Sequence, residues 1–63
     1  MTTGDRVKLR VAKGPFQPGA KGKVSQDFGD GNIAVRIDTR ADGTKLPQPV
    51  PLPPSPKTDF APA

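Results

Sequence analysis

Four prolines occupy every second position near the end of the chain, at Pro47, Pro49, Pro51 and Pro53. Because alternate residues of an extended segment turn their N–H groups to opposite edges, the four missing donors lie on one edge of such a segment. The residues between the prolines keep their N–H groups for a neighbour on the other edge. The pattern predicts an edge strand that pairs on one side and is blocked on the other. The alternatives are a free polyproline II tail that serves as a ligand for another protein, and a disordered spacer.

The length of the chain limits both its core and its chemistry. Its 63 residues make one domain (1–63), and a chain this short buries only about 60% of its unfolded surface. The side chains predicted to build the core are Val7, Leu9, Val11, Phe16, Val24, Phe28, Ile33, Val35, Ile37, Leu46, Val50, Leu52 and Phe60. Such a core leaves little room for a substrate cavity, and the chain has neither histidine nor cysteine for catalysis or metal binding. We therefore expect no enzyme, no cofactor and no metal site, and we assign Asp27, Asp30 and Asn32 to turn chemistry rather than to calcium.

Alternating residues and turn residues predict an all-β fold with antiparallel strands. Arg6 to Val11 alternate basic and apolar side chains, which is typical of a half-buried strand. Phe16 is expected to fold back from the first loop (12–18) onto the core, and Gly22 to mark a bulge or a close backbone approach. The predicted organisation is a three-strand core (4–38), a proline-alternating edge strand (44–53), and a 3₁₀ turn with a C-terminal closing segment (54–63).

One stretch of the chain matches a known pattern of glycine, aromatic and β-branched residues. The matching positions are Gly4, Asp5 and Val7 in the first strand, Gly14 and Phe16 in the loop, and Gly19, Gly22 and Val24 after it. This stretch resembles the KOW motif of ribosomal proteins and transcription elongation factors, from which it departs by one extra residue, Pro18. The resemblance covers roughly residues 4–38 and implies a small Src-homology-3-like barrel of four to five strands. Such barrels bind RNA, DNA, proteins or peptides, so the resemblance implies a binding module without fixing its ligand.

Positive charge is concentrated in the first part of the chain. The net charge is +4, to which residues 1–26 contribute +5, residues 27–44 contribute −2 and the remainder +1. We predict that outward-facing cations form a patch that contacts the phosphate backbone of RNA or DNA, with RNA favoured. The candidate residues are Arg6, Lys8, Arg10, Lys13, Lys21, Lys23 and Arg36. The competing explanation is that these cations only keep a sheet in solution. All three phenylalanines are assigned to the core, so base stacking is not expected.

A second hypothesis is a protein-interaction module or accessory subunit that docks onto a larger protein complex. Its candidate residues lie in the first loop and in the proline-rich segment: Phe16, Pro51, Pro53, Pro54 and Pro56. Pro51 and Pro54 have the PxxP spacing, but no lysine stands at the usual flanking position of such ligands.

The sequence also bears on where the protein works. No apolar run approaches the roughly 20 residues that a membrane span needs. The first residues, MTTGDRVKLR, have no apolar core of the kind found in secretory signals. We therefore expect a cytoplasmic protein without a membrane partner, and a monomer is favoured.

Overall fold

The computed structural model describes residues 2–63 and shows an all-β chain with antiparallel strand pairing. The six strands of the described residues are β1 (Arg6–Leu9), β2 (Lys21–Asp27), β3 (Asn32–Thr39), β4 (Lys45–Pro51), β5 (Ser55–Pro56) and β6 (Phe60–Pro62). A 3₁₀ turn over Lys57–Asp59 joins β5 to β6, which confirms the predicted turn near the C-terminus. Within residues 2–63, no helix is long and apolar enough to cross a membrane.

The strands form one sheet in the order β4-β3-β2-β1-β6, with β5 paired to the beginning of β3. Hydrogen bonding does not close this sheet into a barrel. β5 pairs with β3 through Ile33 and Ser55, whereas β6 pairs with β1 through Leu9 and Phe60. The 3₁₀ turn therefore carries the chain from a strand beside β3 to the far margin of the sheet.

The core consists of apolar side chains from both halves of the chain, each at most 8% exposed. They are Val7, Leu9, Phe16, Ala20, Val24, Ile33, Val35, Ile37, Leu52 and Phe60. β1 and β3 bury every second residue, as their alternation predicts. Leu46 packs against this core from the side. Ala20 was not predicted to be in the core. It is fully buried, and its carbonyl accepts the Leu9 N–H at 2.7 Å.

Three side chains assigned to the core from the sequence lie at the surface instead. Val11 and Phe28 are each 42% exposed, and Val50 is 38% exposed. β1 ends at Leu9, so the alternation does not continue to Val11. A register shift late in β2 reverses the alternation before Phe28 is reached. Val50 lies on β4, the end strand of the sheet, where its side chain lines an open groove.

Gly22 marks both a bulge and a close approach of two backbones, as predicted. The pairing of β2 with β3 shifts register between Lys21 and Gly22. A Cβ atom added at Gly22 would lie 2.2 Å from the Arg36 carbonyl oxygen and 2.9 Å from the Ile37 Cα. Because these are backbone atoms, only glycine lets β2 and β3 meet here.

Candidate nucleic-acid interface

The strand register places three of the predicted cations side by side. Arg6 of β1 is the register partner of Lys23 of β2, and Lys23 is the partner of Arg36 of β3. All three side chains are exposed. Neighbouring strands lie about 4.8 Å apart, so the three residues, which we call the basic row, span roughly 10 Å across the sheet.

Two further cations lie next to the basic row. Lys8 and Lys21 are register partners, and each stands two residues along its strand from a member of the row. Two residues of a strand span about 7 Å and return the side chain to the same face. We call these two residues the lysine pair. Five of the seven residues predicted to bind nucleic acid therefore share one face.

Asp38 partly neutralises this face. The Arg6 guanidinium reaches across β2 and binds the Asp38 carboxylate through two contacts, Nη1 to Oδ2 at 2.6 Å and Nη2 to Oδ1 at 3.3 Å. These hydrogen bonds from Arg6, supported by the Thr39 hydroxyl, hold the pKa of Asp38 below its ordinary value. The five cations and the Asp38 carboxylate together give this face four net positive charges.

The basic row carries an electrostatic cost in the free protein. Like charges directly opposite each other on neighbouring strands are destabilising, and Lys23 stands between two arginines. Arg6 has a carboxylate partner, whereas Lys23 and Arg36 are exposed cations at adjacent positions. An anion placed over the row would relieve this repulsion and gain two or three charge-assisted hydrogen bonds. The arrangement is suited to phosphate oxygens.

An open groove lies beside the basic row. Between the pairs Ile37–Val50 and Thr39–Lys45, four residues of β4 stand opposite the single residue Asp38 of β3, so β4 bulges away from its neighbour. The groove left beneath the bulge has a volume of about 430 Å³. Its lining is Lys23, Val24, Ser25, Arg36, Asp38 and Pro49. A phosphate bound to the row therefore has a shaped recess beside it.

The structure places Arg10 and Lys13 away from the basic row. The Lys13 ammonium forms a salt bridge with Asp59 at 2.7 Å, and both side chains are 24% exposed. The Arg10 backbone N–H donates to the Asp59 carbonyl, and its guanidinium lies 3.4 Å from the Thr58 carbonyl oxygen. Through these contacts both cations hold the 3₁₀ turn against the first loop, so their role is structural.

A second groove joins the two segments named in the protein-interaction hypothesis. It has a volume of about 400 Å³ and runs between the first loop and the proline-rich segment. Phe16 forms part of its lining at 3% exposure, and the more exposed Val50 also lines it. Pro51, Pro53 and Pro54 line it as well. Pro56 lies outside the groove, in β5, where it pairs with Asn32.

The carboxylates of the β2–β3 turn are engaged in local hydrogen bonds. Asp27 accepts the Gly29 N–H at 2.9 Å, and Asp30 accepts the Asn32 N–H at 3.0 Å. These bonds are typical of turn-forming aspartates. Among residues 2–63, no group of three or more acidic, cysteine or histidine side chains is placed to hold a metal ion.

Two features of this region were missed from the sequence. Asp38 was not linked to Arg6, since nothing local connects residues 32 positions apart. Phe28 was assigned to the core, although it is exposed. The Gly-Asp-Gly-Asn turn that follows Phe28 predicts a hairpin. It does not predict the bulge in β2 that exchanges the two faces of the strand before Phe28.

Comparisons with known proteins found no relative of this chain. No family model matches it, and neither a curated protein nor a solved structure gives a significant match. The resemblance to the KOW motif therefore depends on the residues quoted for it, and function has to be inferred from charge and geometry.

Proposed function

We propose that this protein is a non-catalytic binding module that contacts the phosphate backbone of nucleic acid, RNA in preference to DNA. The contact surface is the basic row together with the lysine pair. The observation that carries the proposal is the direct side-by-side register of Arg6, Lys23 and Arg36, which concentrates charge at a cost to stability. If these cations served only to keep the protein in solution, we would expect them to be spaced apart over the surface rather than placed side by side.

The proposed fold is a small Src-homology-3-like barrel of the kind that carries KOW motifs. Its support is the path of the last residues, since β5 pairs with β3 and β6 pairs with β1. The three residues of the 3₁₀ turn connect β5 to β6, so the covalent chain links the β3 side of the sheet to the β1 side. In such a barrel the basic row lies on the outer surface, where an extended polyanion has access.

The proposal is tested by removing one charge at a time and measuring nucleic-acid affinity against salt. Lys23→Ala and Arg36→Ala each remove a member of the basic row, whereas Arg40→Ala removes the same charge from the exposed loop after β3. For a short single-stranded RNA, we expect each row variant to weaken binding and to lower the slope of log K against log salt by about 0.7. Arg40→Ala should leave the slope near that of the wild type.

Amide chemical shifts locate the contact independently. Adding the RNA at about 50 mM salt should perturb β1, β2 and the second half of β3, and raising the salt should reverse the effect. A wild-type protein whose amides on these strands do not respond at low salt does not bind nucleic acid in this way.

The groove between the first loop and the proline-rich segment favours a second candidate function, docking onto a larger protein complex. Val50, 38% exposed, lines this groove together with the buried Phe16. An apolar side chain of a partner that enters this groove would cover the exposed Val50. In the RNA titration, shifts confined to Val50 and the following prolines would favour this candidate over the basic row.

A further inference from the structure

The Phe28 ring lies on the same face of the sheet as the basic row. The ladder between β2 and β3 gains one residue between Val24 and Gln26, after which Gln26 stands opposite Ala34. The same register continues to Phe28, whose N–H donates to the Asn32 carbonyl at 3.2 Å. Asn32 and Ala34 share the face of Arg36, since residues two apart on a strand point to the same side. Phe28 therefore shares that face too.

The Phe28 ring is not part of the buried core. Phe28 is 42% exposed, whereas Phe16 and Phe60 are each 3% exposed and complete the core without it. Single exposed apolar residues are common and need no explanation by themselves. What distinguishes Phe28 is its place on the same face as the concentrated cations, with the exposed Gln26 amide between them.

The cations of the basic row and the Phe28 ring lie at opposite ends of one strip of the outward sheet face. Arg36 and Asn32 are four residues apart on β3, which is about 13 Å. Cations lie at one end of this strip, and the ring lies at the other, next to the β2–β3 turn that carries Asp30. Carboxylates repel phosphate but accept hydrogen bonds from the amino groups of bases. This strip is therefore suited to the phosphate backbone of a nucleic acid at the basic row and to an exposed base at the Phe28 ring.

We propose that the ligand is single-stranded nucleic acid, with one unpaired base stacked on Phe28 and the neighbouring phosphates on Lys23 and Arg36. This inference rests on the function proposed above and specifies its ligand class. In a duplex both faces of each base are already covered by neighbouring pairs, so the ring cannot stack on them. Single-strand binding proteins combine the same two elements, a cationic track and an aromatic platform.

The experiment compares Phe28→Ala with Val11→Ala, a control residue of equal exposure at 42%. Affinities are measured by fluorescence anisotropy for a labelled single-stranded RNA and for its duplex, at the same salt. Loss of one base–aromatic stack lowers single-strand affinity by roughly 5- to 150-fold. We expect that loss for Phe28→Ala, with duplex affinity and salt slope unchanged because the ring carries no charge. Val11→Ala should bind both ligands as the wild type does.

Two further variants separate stacking from apolar contact. Phe28→Leu keeps an apolar side chain without a ring, and it should bind the single strand nearly as weakly as Phe28→Ala. Phe28→Trp should bind at least as tightly as the wild type. Because the chain has no other tryptophan and no tyrosine, the indole fluorescence of this variant reports directly on stacking, and RNA should quench it.

The outcomes distinguish this inference from the proposed function. If the wild type binds RNA and Lys23→Ala weakens it, but Phe28→Ala binds the single strand normally, the stacking inference is wrong and the proposed function stands. If the wild type binds neither RNA nor duplex at low salt, both are wrong. If polyglutamate competes with RNA and its binding is insensitive to Phe28, the face serves an acidic protein instead, which also overturns the inference.

Discussion

At the scale of single residues, Asp38 controls how much of the basic row is available. Its carboxylate occupies the Arg6 guanidinium, so a phosphate has to compete for that arginine. The Arg6 hydrogen bonds hold the pKa of Asp38 below its ordinary value, so the competitor remains ionised at neutral pH. Asp38 thus stabilises the free protein and weakens its proposed contact with nucleic acid.

Asp38→Asn should therefore change stability and binding in opposite directions. A carboxylate with a lowered folded-state pKa stabilises the fold above its unfolded pKa of about 3.9, and this contribution is lost as the pH falls through the folded value. The Arg6 and Asp38 side chains are 46% and 31% exposed, so solvent screens the pair. Its contribution is then at most about 1 kcal/mol. We expect Asp38→Asn to lower the free energy of unfolding at pH 7, to reduce the loss of stability between about pH 5 and pH 3, and to raise RNA affinity.

Urea denaturation at these pH values and RNA titrations provide the measurements. Asp42→Asn is the matched control, since it removes the same charge from the loop between β3 and β4. The pKa of Asp42 is also lowered, in its case by the Thr44 backbone N–H rather than by the basic row. Equal gains in RNA affinity for both variants would show that Asp38 acts only through net charge.

At the scale of elements, β4 presents its two edges differently. Val50 is paired with Ile37, and the Leu52 N–H donates to the Val35 carbonyl at 2.9 Å. Pro49 and Pro51 alternate with these residues, so the positions that would point donors away from β3 have none. β4 also ends the strand order of the sheet, where an unblocked strand invites pairing with a second molecule.

Restoring donors on this outer edge should promote self-association. In Pro49→Thr combined with Pro51→Thr, two N–H groups return to a strand with high β-propensity. We expect concentration-dependent oligomers by sedimentation velocity, because the edge can then template another strand. Val50→Thr is the control, since its N–H already points to β3. A double variant that sediments like the wild type at high concentration would refute the role of the prolines as an edge block.

At the scale of the whole molecule, the last third of the chain completes a core that the first part leaves open. Leu52 and Phe60 are 8% and 3% exposed within the cluster formed by β1 to β3. β6 adds a strand beside β1, and β5 adds one beside the beginning of β3. A chain of 63 residues has little stability to lose, so these contacts decide whether it folds.

Deleting residues 46–63 should therefore abolish cooperative folding. The fragment loses the core side chains Leu52 and Phe60, each a loss of several kcal/mol, and it loses the strands that pair with the outer edges of β1 and β3. We expect poor amide dispersion in NMR spectra and no sigmoidal thermal transition. A fragment that melts cooperatively would show that the C-terminal third is an appendage of a self-sufficient three-strand domain.

Prediction from the sequence was most accurate where neighbours along the chain decide the outcome. The alternation in β3 identified Ile33, Val35 and Ile37 as buried, and the backbones of β2 and β3 approach closely at Gly22 as predicted. The same reasoning failed for Phe28, because one extra residue in β2 exchanges the two faces of a strand. For the candidate interface, it identified the cations of the basic row but could not separate them from Arg10 and Lys13.

The sequence by itself determined the β class, the positions of the turns, the charge excess and the row of positions without N–H donors. Each of these depends on residues that are close in the chain. Only the tertiary structure decided that Arg6, Lys23 and Arg36 stand in one row, that Asp38 binds Arg6, and that Phe28 faces the same side. These depend on the register between strands, which a single inserted residue shifts and which packing of the whole core selects.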